Sequence, residues 1–264
     1  MTLDSQISNR REITSGTKEW ADYNVNCVKG CSNNCRYCYA KMMAKRFGRC
    51  TETTWKDMVV NDKTVKAHYG KYKGRVMFPS SHDIIDTPIV LEACFTVLSK
   101  LLKAGNATLI TTKPELSVVK KIIRRYRRFN SQIQFRFTIT SMNDKSLSFW
   151  EPNAPKFQER LDSLKYAFDN GFKTSVSIEP FLDYEPQKLV SAVAPYVTES
   201  IWLGPMNYIP NSDSLNGVRQ KYVMIRKNYE VGHLQKIYED LIDFPLIQFK
   251  DSMLNRLGIN KTIN

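Results

Sequence analysis

Short apolar or β-branched runs alternate with longer segments of helical periodicity along most of the chain, and this alternation narrows the fold more than any other feature. It is the signature of βα units feeding a parallel sheet, because parallel strands need a long crossover and a helix is the usual one. The candidate strands are Tyr23 to Val28, Arg75 to Phe78, Thr108 to Thr112, Gln134 to Thr140, Thr174 to Ile178 and Ser200 to Gly204. Helices of about ten to sixteen residues lie between them. In Pro88 to Lys103, Leu91, Phe95, Leu98 and Leu102 recur at helical spacing, Pro88 suits the first turn and Gly105 follows the end. Glu115 to Phe129 behaves likewise, with Val118, Val119, Ile122, Ile123 and Tyr126 as its buried stripe. Six such units predict an α/β fold, either a barrel or an open doubly wound sheet. Both architectures place their sites just beyond the carboxyl ends of the strands. A further short run, Leu246 to Phe249, is predicted to close or cap the sheet.

A length of 264 residues, with no repeat, low-complexity tract or Gly/Ser-rich linker, suits a single domain. No stretch approaches the roughly 18 consecutive apolar residues of a membrane span. The N-terminal MTLDSQISNRREITSG lacks the apolar core of a secretory signal, so the expected location is cytoplasmic, where disulfides are rare. Of six cysteines, four fall between Cys27 and Cys38, which points to thiolates on a metal. With 39 Lys and Arg against 26 Asp and Glu, the net charge of +13 favours polyanionic partners, nucleic acid first.

Cys31, Cys35 and Cys38 form C-x3-C-x2-C directly after the first predicted strand, at the start of a predicted helix from Tyr39 to Phe47. Three thiolates converging from one loop suit an iron-sulfur cube with one iron left open. The competing reading is a closed zinc site of Cys27, Cys31, Cys35 and Cys38. Zinc sites of that composition usually pair two cysteine knuckles across a longer span, and four ligands within twelve residues are crowded.

With Tyr37 as the aromatic of C-x3-C-x-aromatic-C, the motif resembles that of the radical S-adenosylmethionine superfamily. More narrowly, NCVKGCSNNCRYCYAK, Asn26 to Lys41, is similar to the N-P-Y-x-G-C-x-x-x-C-x-Y-C-Y-A signature of the spore photoproduct lyase-like (DNA repair photolyase-like) branch, with Cys27 in place of proline. The resemblance runs over roughly residues 22–210. It implies a partial (β/α)6 barrel there, an N-terminal extension at 1–21 and a C-terminal extension at 211–264 packing on the barrel. It further implies a [4Fe-4S] cluster on Cys31, Cys35 and Cys38, with S-adenosylmethionine chelating the fourth iron. An electron donor such as flavodoxin or ferredoxin would reduce the cluster, and the resulting 5′-deoxyadenosyl radical would abstract hydrogen from substrate while the protein positions the reacting carbon.

Carried over residue by residue, the resemblance implies a cofactor pocket at the strand ends. Asp83 and His82, after the second strand, would take the methionine amino group, and Lys113, after the third, its carboxylate. Thr138, Thr140 and Ser141 would address the ribose, as would Glu179, while Tyr37 would lie beside the adenine. Gly204 would allow close backbone approach and Asn207 would address adenine or substrate. Ser80 stands where spore photoproduct lyase has a cysteine hydrogen donor, and its strong O–H bond argues against the same reaction here. Cys27 is read as a buried structural thiol, Tyr39 as packing against the barrel, and Cys50 and Cys94 receive no role. No catalytic residue is assigned.

Three basic runs invite phosphate contact: Lys120, Lys121, Arg124, Arg125, Arg127 and Arg128; Lys41, Lys45, Arg46 and Arg49; and Lys63, Lys66, Lys71, Lys73 and Arg75, with Tyr69 and Tyr72 interleaved for stacking on unpaired bases. The leading expectation is a radical enzyme that modifies or repairs DNA or RNA. The alternatives are the same chemistry on a small metabolite or peptide, and a non-catalytic metal-binding module that recognises nucleic acid.

Overall fold

Strict in-and-out alternation along the strands decides how the sheet sits. In the computed structural model, which describes residues 16–209 and 218–259, the chain enters through β1 (Tyr23–Asn24) and β2 (Val28–Lys29), then α1 (Tyr39–Arg46), β3 (Val59–Val60) and α2 (Asp62–Lys66). The repeating part follows as β4 (Val76–Phe78), α3 (Pro88–Lys103), β5 (Thr108–Thr112), α4 (Leu116–Tyr126) and β6 (Ile133–Thr138). After α5 (Asp144–Trp150) and α6 (Phe157–Asp169) come β7 (Lys173–Ile178), α7 (Pro186–Val193) and β8 (Ser200–Leu203). The described chain ends with α8 (Arg219–Lys227), α9 (Val231–Leu241), β9 (Ile247–Phe249) and α10 (Asp251–Arg256).

β1, β4, β5, β6, β7, β8 and β9 pair in that order, all parallel, into one curled half-barrel sheet. Phe78, Ile110, Phe135, Phe137, Val176, Ile178, Ile201 and Leu203 point one way, into the core shared with the helices. The residues between them are different in kind. The register sets Arg136 against Ser175 in one row, and Thr138, Ser177, Trp202 and Gln248 in the next. The helix-facing side is therefore greasy and the concave side polar, so the barrel lumen can hold a polar ligand.

The predicted pattern needs local correction. The strand expected from Tyr23 to Val28 divides, because the chain turns off the sheet edge after Asn24. The Asn26 side chain draws it aside by accepting from Ser80 N and Ser81 N at 2.7 and 2.8 Å, and β2 pairs antiparallel with β3 instead. The strand expected to reach Thr140 stops at Thr138, and the one expected to reach Gly204 stops at Leu203. The helix expected to run to Phe129 ends at Tyr126 and tightens into a 3-10 turn, Arg127–Gln132, with non-helical backbone at Phe129. The run at Leu246 to Phe249, expected to close or cap the sheet, does so as its seventh strand, paired to β8 from Ile201 to Leu203. Parts of the expected extensions, residues 1–15, 210–217 and 260–264, lie outside the described residues.

One flank of the lumen is filled by the segment leading into β1. Trp20 meets Trp202 edge-on at 5.9 Å, and the Arg136 guanidinium lies 4.7 Å from the Trp20 ring. Lys250, 3% exposed and directly after β9, reaches Glu19 at 2.6 Å and the Gly16 carbonyl at 2.9 Å. Two distant parts of the chain are thereby joined by a buried ion pair.

Candidate functional site

The loop from Gly30 to Cys38 takes its shape from backbone constraints. Gly30 has φ +90°, and a Cβ there would sit 2.3 Å from the Trp55 carbonyl oxygen, so only glycine fits. The next amide, Cys31 N, donates to that same carbonyl at 2.8 Å. Arg36 anchors the middle, its amide donating to Trp150 O at 2.8 Å and its Nε to Phe149 O at 2.7 Å. Cys38 caps α1, its sulfur accepting from Lys41 N at 3.4 Å. Asn33 reaches across to Asp83 at 2.8 Å, and Asn153 holds the Ser32 carbonyl at 2.8 Å.

Cys31 and Cys35 are buried and Cys38 partly buried, all three as free thiols. Burial pushes the Cys31 thiol up to about 12, helped by the charges of Asp83 and Cys38. Burial likewise raises Cys35 and Cys38, the latter against the Lys41 amide. Three buried thiols that disfavour one another's ionisation become thiolates only with a cationic group among them. Among the described residues, only Cys27, His82 and Cys94 bring three such ligand atoms within 4.8 Å of one another. Cys31, Cys35 and Cys38 therefore stand wider apart than a single tetrahedral ion allows, and this donor set fits a polynuclear iron-sulfur cluster. The four-cysteine zinc site is excluded, because Cys27 turns away to Cys94, 3.7 Å between sulfurs.

Around the loop, the strand ends present polar groups. Some are committed to protein partners. Asp83 accepts from Asn33 Nδ2, Ile84 N at 2.9 Å, Lys113 N at 3.0 Å and the Thr112 hydroxyl, which uses both of its oxygens. His82 is buried, with Nδ1 on Asp83 O at 3.0 Å and Nε2 facing Cys27. Thr140 donates to Glu151 at 2.8 Å, and Ser141 donates to Asp183 and accepts from Asn143 N at 2.8 Å. Tyr37 gives its hydroxyl hydrogen to Glu151.

Lys113, Thr138, Glu179, Gly204 and Asn207 complete the ring of strand ends. The Lys113 ammonium lies 5.6 Å from the centre of the Tyr37 ring. Burial pulls its pKa down, but Cys35, Glu151 and Asp83 outweigh this and hold it above the ordinary lysine value. Thr138 ends β6 partly exposed, in the polar row of the sheet. Glu179 is pushed up by burial against the nearby Lys250, 3.7 Å away, and meets the exposed Asn207 at 3.5 Å. Gly204 is small for a local reason: a Cβ there would strike Lys250 Cγ at 2.7 Å and approach Glu179 Cγ at 3.3 Å.

Glu151 carried no sequence signal, yet it ties the site together. Fully buried, it pairs with the equally buried Arg160 and accepts from Tyr37 and Thr140. Burial alone would raise its pKa, but Arg160 and Lys113 hold it below the ordinary carboxylate value. Asn33, Asp183 and Lys250 were missed for the same reason: each acts through a partner distant in sequence. Tyr39, expected to pack on the barrel, is 61% exposed at the start of a short helix whose inward face is supplied by other residues.

The expected base-stacking role of Tyr69 is not available, since it is 8% exposed and donates to Thr64 O at 2.9 Å. Tyr72 packs on Tyr23 at 4.6 Å between ring centres. No helix among the described residues is long and apolar enough to cross a membrane.

Comparison with known proteins agrees with this geometry. An uncharacterized protein of Acidianus two-tailed virus is 28% identical over 190 residues, covering 68% of this chain and 60% of the viral protein. The chain thus spans less than two thirds of that relative. An uncharacterized protein of Methanocaldococcus jannaschii is 28% identical over 184 residues, 67% of each chain. Among solved structures, spore photoproduct lyase complexed with dinucleoside spore photoproduct superposes with a TM-score of 0.55 at 16% identity, covering 91% of this chain and 79% of that one. SuiB of Streptococcus suis bound to S-adenosylmethionine gives a TM-score of 0.52 at 14% identity, covering 89% of this chain and 49% of that one. At such identities the likeness concerns fold. The Radical SAM superfamily model matches residues 25–188, from the bed of the cysteine loop through β7. The chain belongs to the radical SAM superfamily, whose cofactors are a [4Fe-4S] cluster and S-adenosylmethionine.

Proposed function

We propose that this protein abstracts hydrogen from a nucleic-acid substrate, in a modification or repair reaction, with Cys31, Cys35 and Cys38 as the cluster ligands. When bound, the cluster and S-adenosylmethionine supply one-electron cleavage of the sulfonium and, from it, hydrogen abstraction. The electron comes from a reduced flavodoxin or ferredoxin. Lys113 holds the methionine carboxylate with its ammonium, and Thr138, Glu179 and Asn207 address ribose and adenine from the lumen. Tyr37 forms a wall beside Lys113. Asp83, Thr140 and Ser141, whose polar atoms are already engaged, position the loops, and His82 and Gly204 shape the adjoining backbone. Trp20, Trp202 and Lys250 seal one flank of the lumen against water.

The observation that carries the nucleic-acid reading is on α1. At the end of α1 and just beyond it, about two to three turns from Cys38, lie Arg46, Phe47 and Arg49, all exposed, Phe47 by 58%, with the Arg49 guanidinium 5.1 Å from the Phe47 ring. Cations alternating with an exposed ring suit a phosphate backbone and an unpaired base. Tyr39, on the same helix, adds a second exposed ring. The dinucleoside ligand of the structural neighbour supports the same substrate class. By contrast, the rings beside Arg125 and Arg128 are the buried Phe95 and the partly buried Phe129, so the basic run of Arg124, Arg125, Arg127 and Arg128 offers a base no free ring and serves docking alone.

The test is anaerobic reconstitution with iron and sulfide, reduction, and assay for 5′-deoxyadenosine with and without single-stranded oligonucleotide. Cys35→Ala should abolish the product, and Cys50→Ala should retain it. Substrate-dependent turnover should require the oligonucleotide and fall with added salt. Turnover that responds to a peptide or metabolite but not to DNA or RNA would refute the substrate assignment.

A further inference from the structure

Outside the cluster loop, one group of metal-binding side chains has no part in the reaction described above. Cys27 sits in the turn after β1, His82 in the loop after β4 and Cys94 in α3, at 0%, 7% and 1% exposure. The two sulfurs are 3.7 Å apart, Cys27 Sγ lies 4.0 Å from His82 Nε2, and all three ligand atoms fall within 4.8 Å. We propose that Cys27, His82 and Cys94 form a second metal site, for a single zinc ion, beneath the cluster loop. This inference does not depend on the proposed function.

Three physical features support it. First, a tetrahedral zinc with Zn–S near about 2.3 Å sets its sulfurs about 3.8 Å apart, and its sulfur and nitrogen slightly closer. The sulfur–sulfur edge already has that length, and the Cys27 Sγ–His82 Nε2 edge must close by a few tenths of an ångström. Second, the imidazole is oriented for ligation. Nδ1 faces the Asp83 carbonyl at 3.0 Å, so the proton belongs there and Nε2 is left as the acceptor nitrogen, with the Cys27 sulfur 4.0 Å away. A backbone carbonyl on the far nitrogen is the usual outer partner of a metal-bound histidine. Third, two thiolates neutralise a divalent ion, so the complex enters the core without net charge, whereas a monovalent soft metal would leave a buried anion.

The group that a metal must displace is the Cys27 amide, which donates to Nε2 at 3.2 Å. The ion would keep one position for a non-protein ligand. Its effect would be to fasten three elements under the cluster. Cys27 lies four residues before Cys31, and His82 precedes the Asp83 that holds Asn33 and the Lys113 amide.

The experiment is elemental analysis of protein purified without oxygen and without an immobilised-metal step. It compares the wild-type chain, a Cys31→Ala/Cys35→Ala/Cys38→Ala variant, and Cys94→Val, which keeps volume and apolar character. The wild type should carry about one zinc beside its iron, and the triple variant should lose iron but keep zinc. Cys94→Val should lose zinc about tenfold while keeping its iron. Cobalt added to zinc-stripped wild type should give thiolate-to-cobalt charge-transfer absorption, which does not require any variant to fold. The proposal fails if wild type and triple variant both lack zinc and cobalt gives no such band. It fails equally if Cys27 and Cys94 are recovered as free alkylatable thiols or as a disulfide. Zinc without iron in the wild type, kept by the triple variant, would leave this site standing and overturn the cluster assignment instead, whereas zinc lost with the three loop cysteines would overturn this site.

Discussion

Asp83 holds hydrogen bonds on both carboxylate oxygens, and their donors come from the cysteine loop, its own loop and the end of β5. Asp83→Asn turns an amide against some of those donors, and each unmet buried group costs about 1–3 kcal/mol. Reconstituted Asp83→Asn should bind less than about half the wild-type iron while the apo-protein still unfolds cooperatively; wild-type iron content would refute this positioning role. Gly30→Ala should be worse, since the new methyl meets a backbone oxygen and the left-handed φ adds about 1–2 kcal/mol. Both effects are read from iron content and urea unfolding. The cysteine spacing was legible in the sequence because all three thiols come from one loop. The partner of Asp83 was not, because Asn33 lies fifty residues away.

At the scale of elements, the Glu151–Arg160 pair fastens the chain after α5 to α6 and to the cysteine loop through Tyr37. Arg160→Leu leaves a buried carboxylate unpaired, so apo-protein stability should fall by about 3–5 kcal/mol, and the double variant Glu151→Gln/Arg160→Leu should recover part of it. Because Glu151 titrates below its ordinary value in the fold, its stabilising contribution is present above the unfolded carboxylate value of about 4.3. That contribution is lost as the pH falls through the lower folded value, and acid unfolding should shift less with pH in Glu151→Gln. Helix α1 makes a separate prediction. Replacing Arg46 and Arg49 by Ala should flatten the salt dependence of single-strand binding by about 1.4 in slope, at about 0.7 per phosphate contact. Replacing Arg124 and Arg127 should leave oligonucleotide-dependent turnover in place. If the α4 pair abolished turnover and the α1 pair did not, the interface would lie on the wrong face.

For the molecule as a whole, closure rests on Lys250, which joins β9 to Glu19, Glu179 and the Gly16 carbonyl. Lys250→Met buries those carboxylates without their cation and should cost about 3–5 kcal/mol in urea unfolding of the apo-protein, with loss of the Trp20–Trp202 near-ultraviolet signal. A neutral result would mean that the segment before β1 is not held to the end of β9. The sequence alone determined the parallel α/β order, the boundaries of α3 and β5 and the three-cysteine loop. Each of these is written in local periodicity, turn residues or ligand spacing, which act over a few residues. Only the tertiary structure decided that the strand expected from Tyr23 to Val28 divides, that Thr140 and Ser141 bond to Glu151 and Asp183, and that Cys27 faces Cys94 and His82. Those outcomes depend on which distant residues the curled sheet brings within reach, and burial then obliges each polar atom to take the nearest partner.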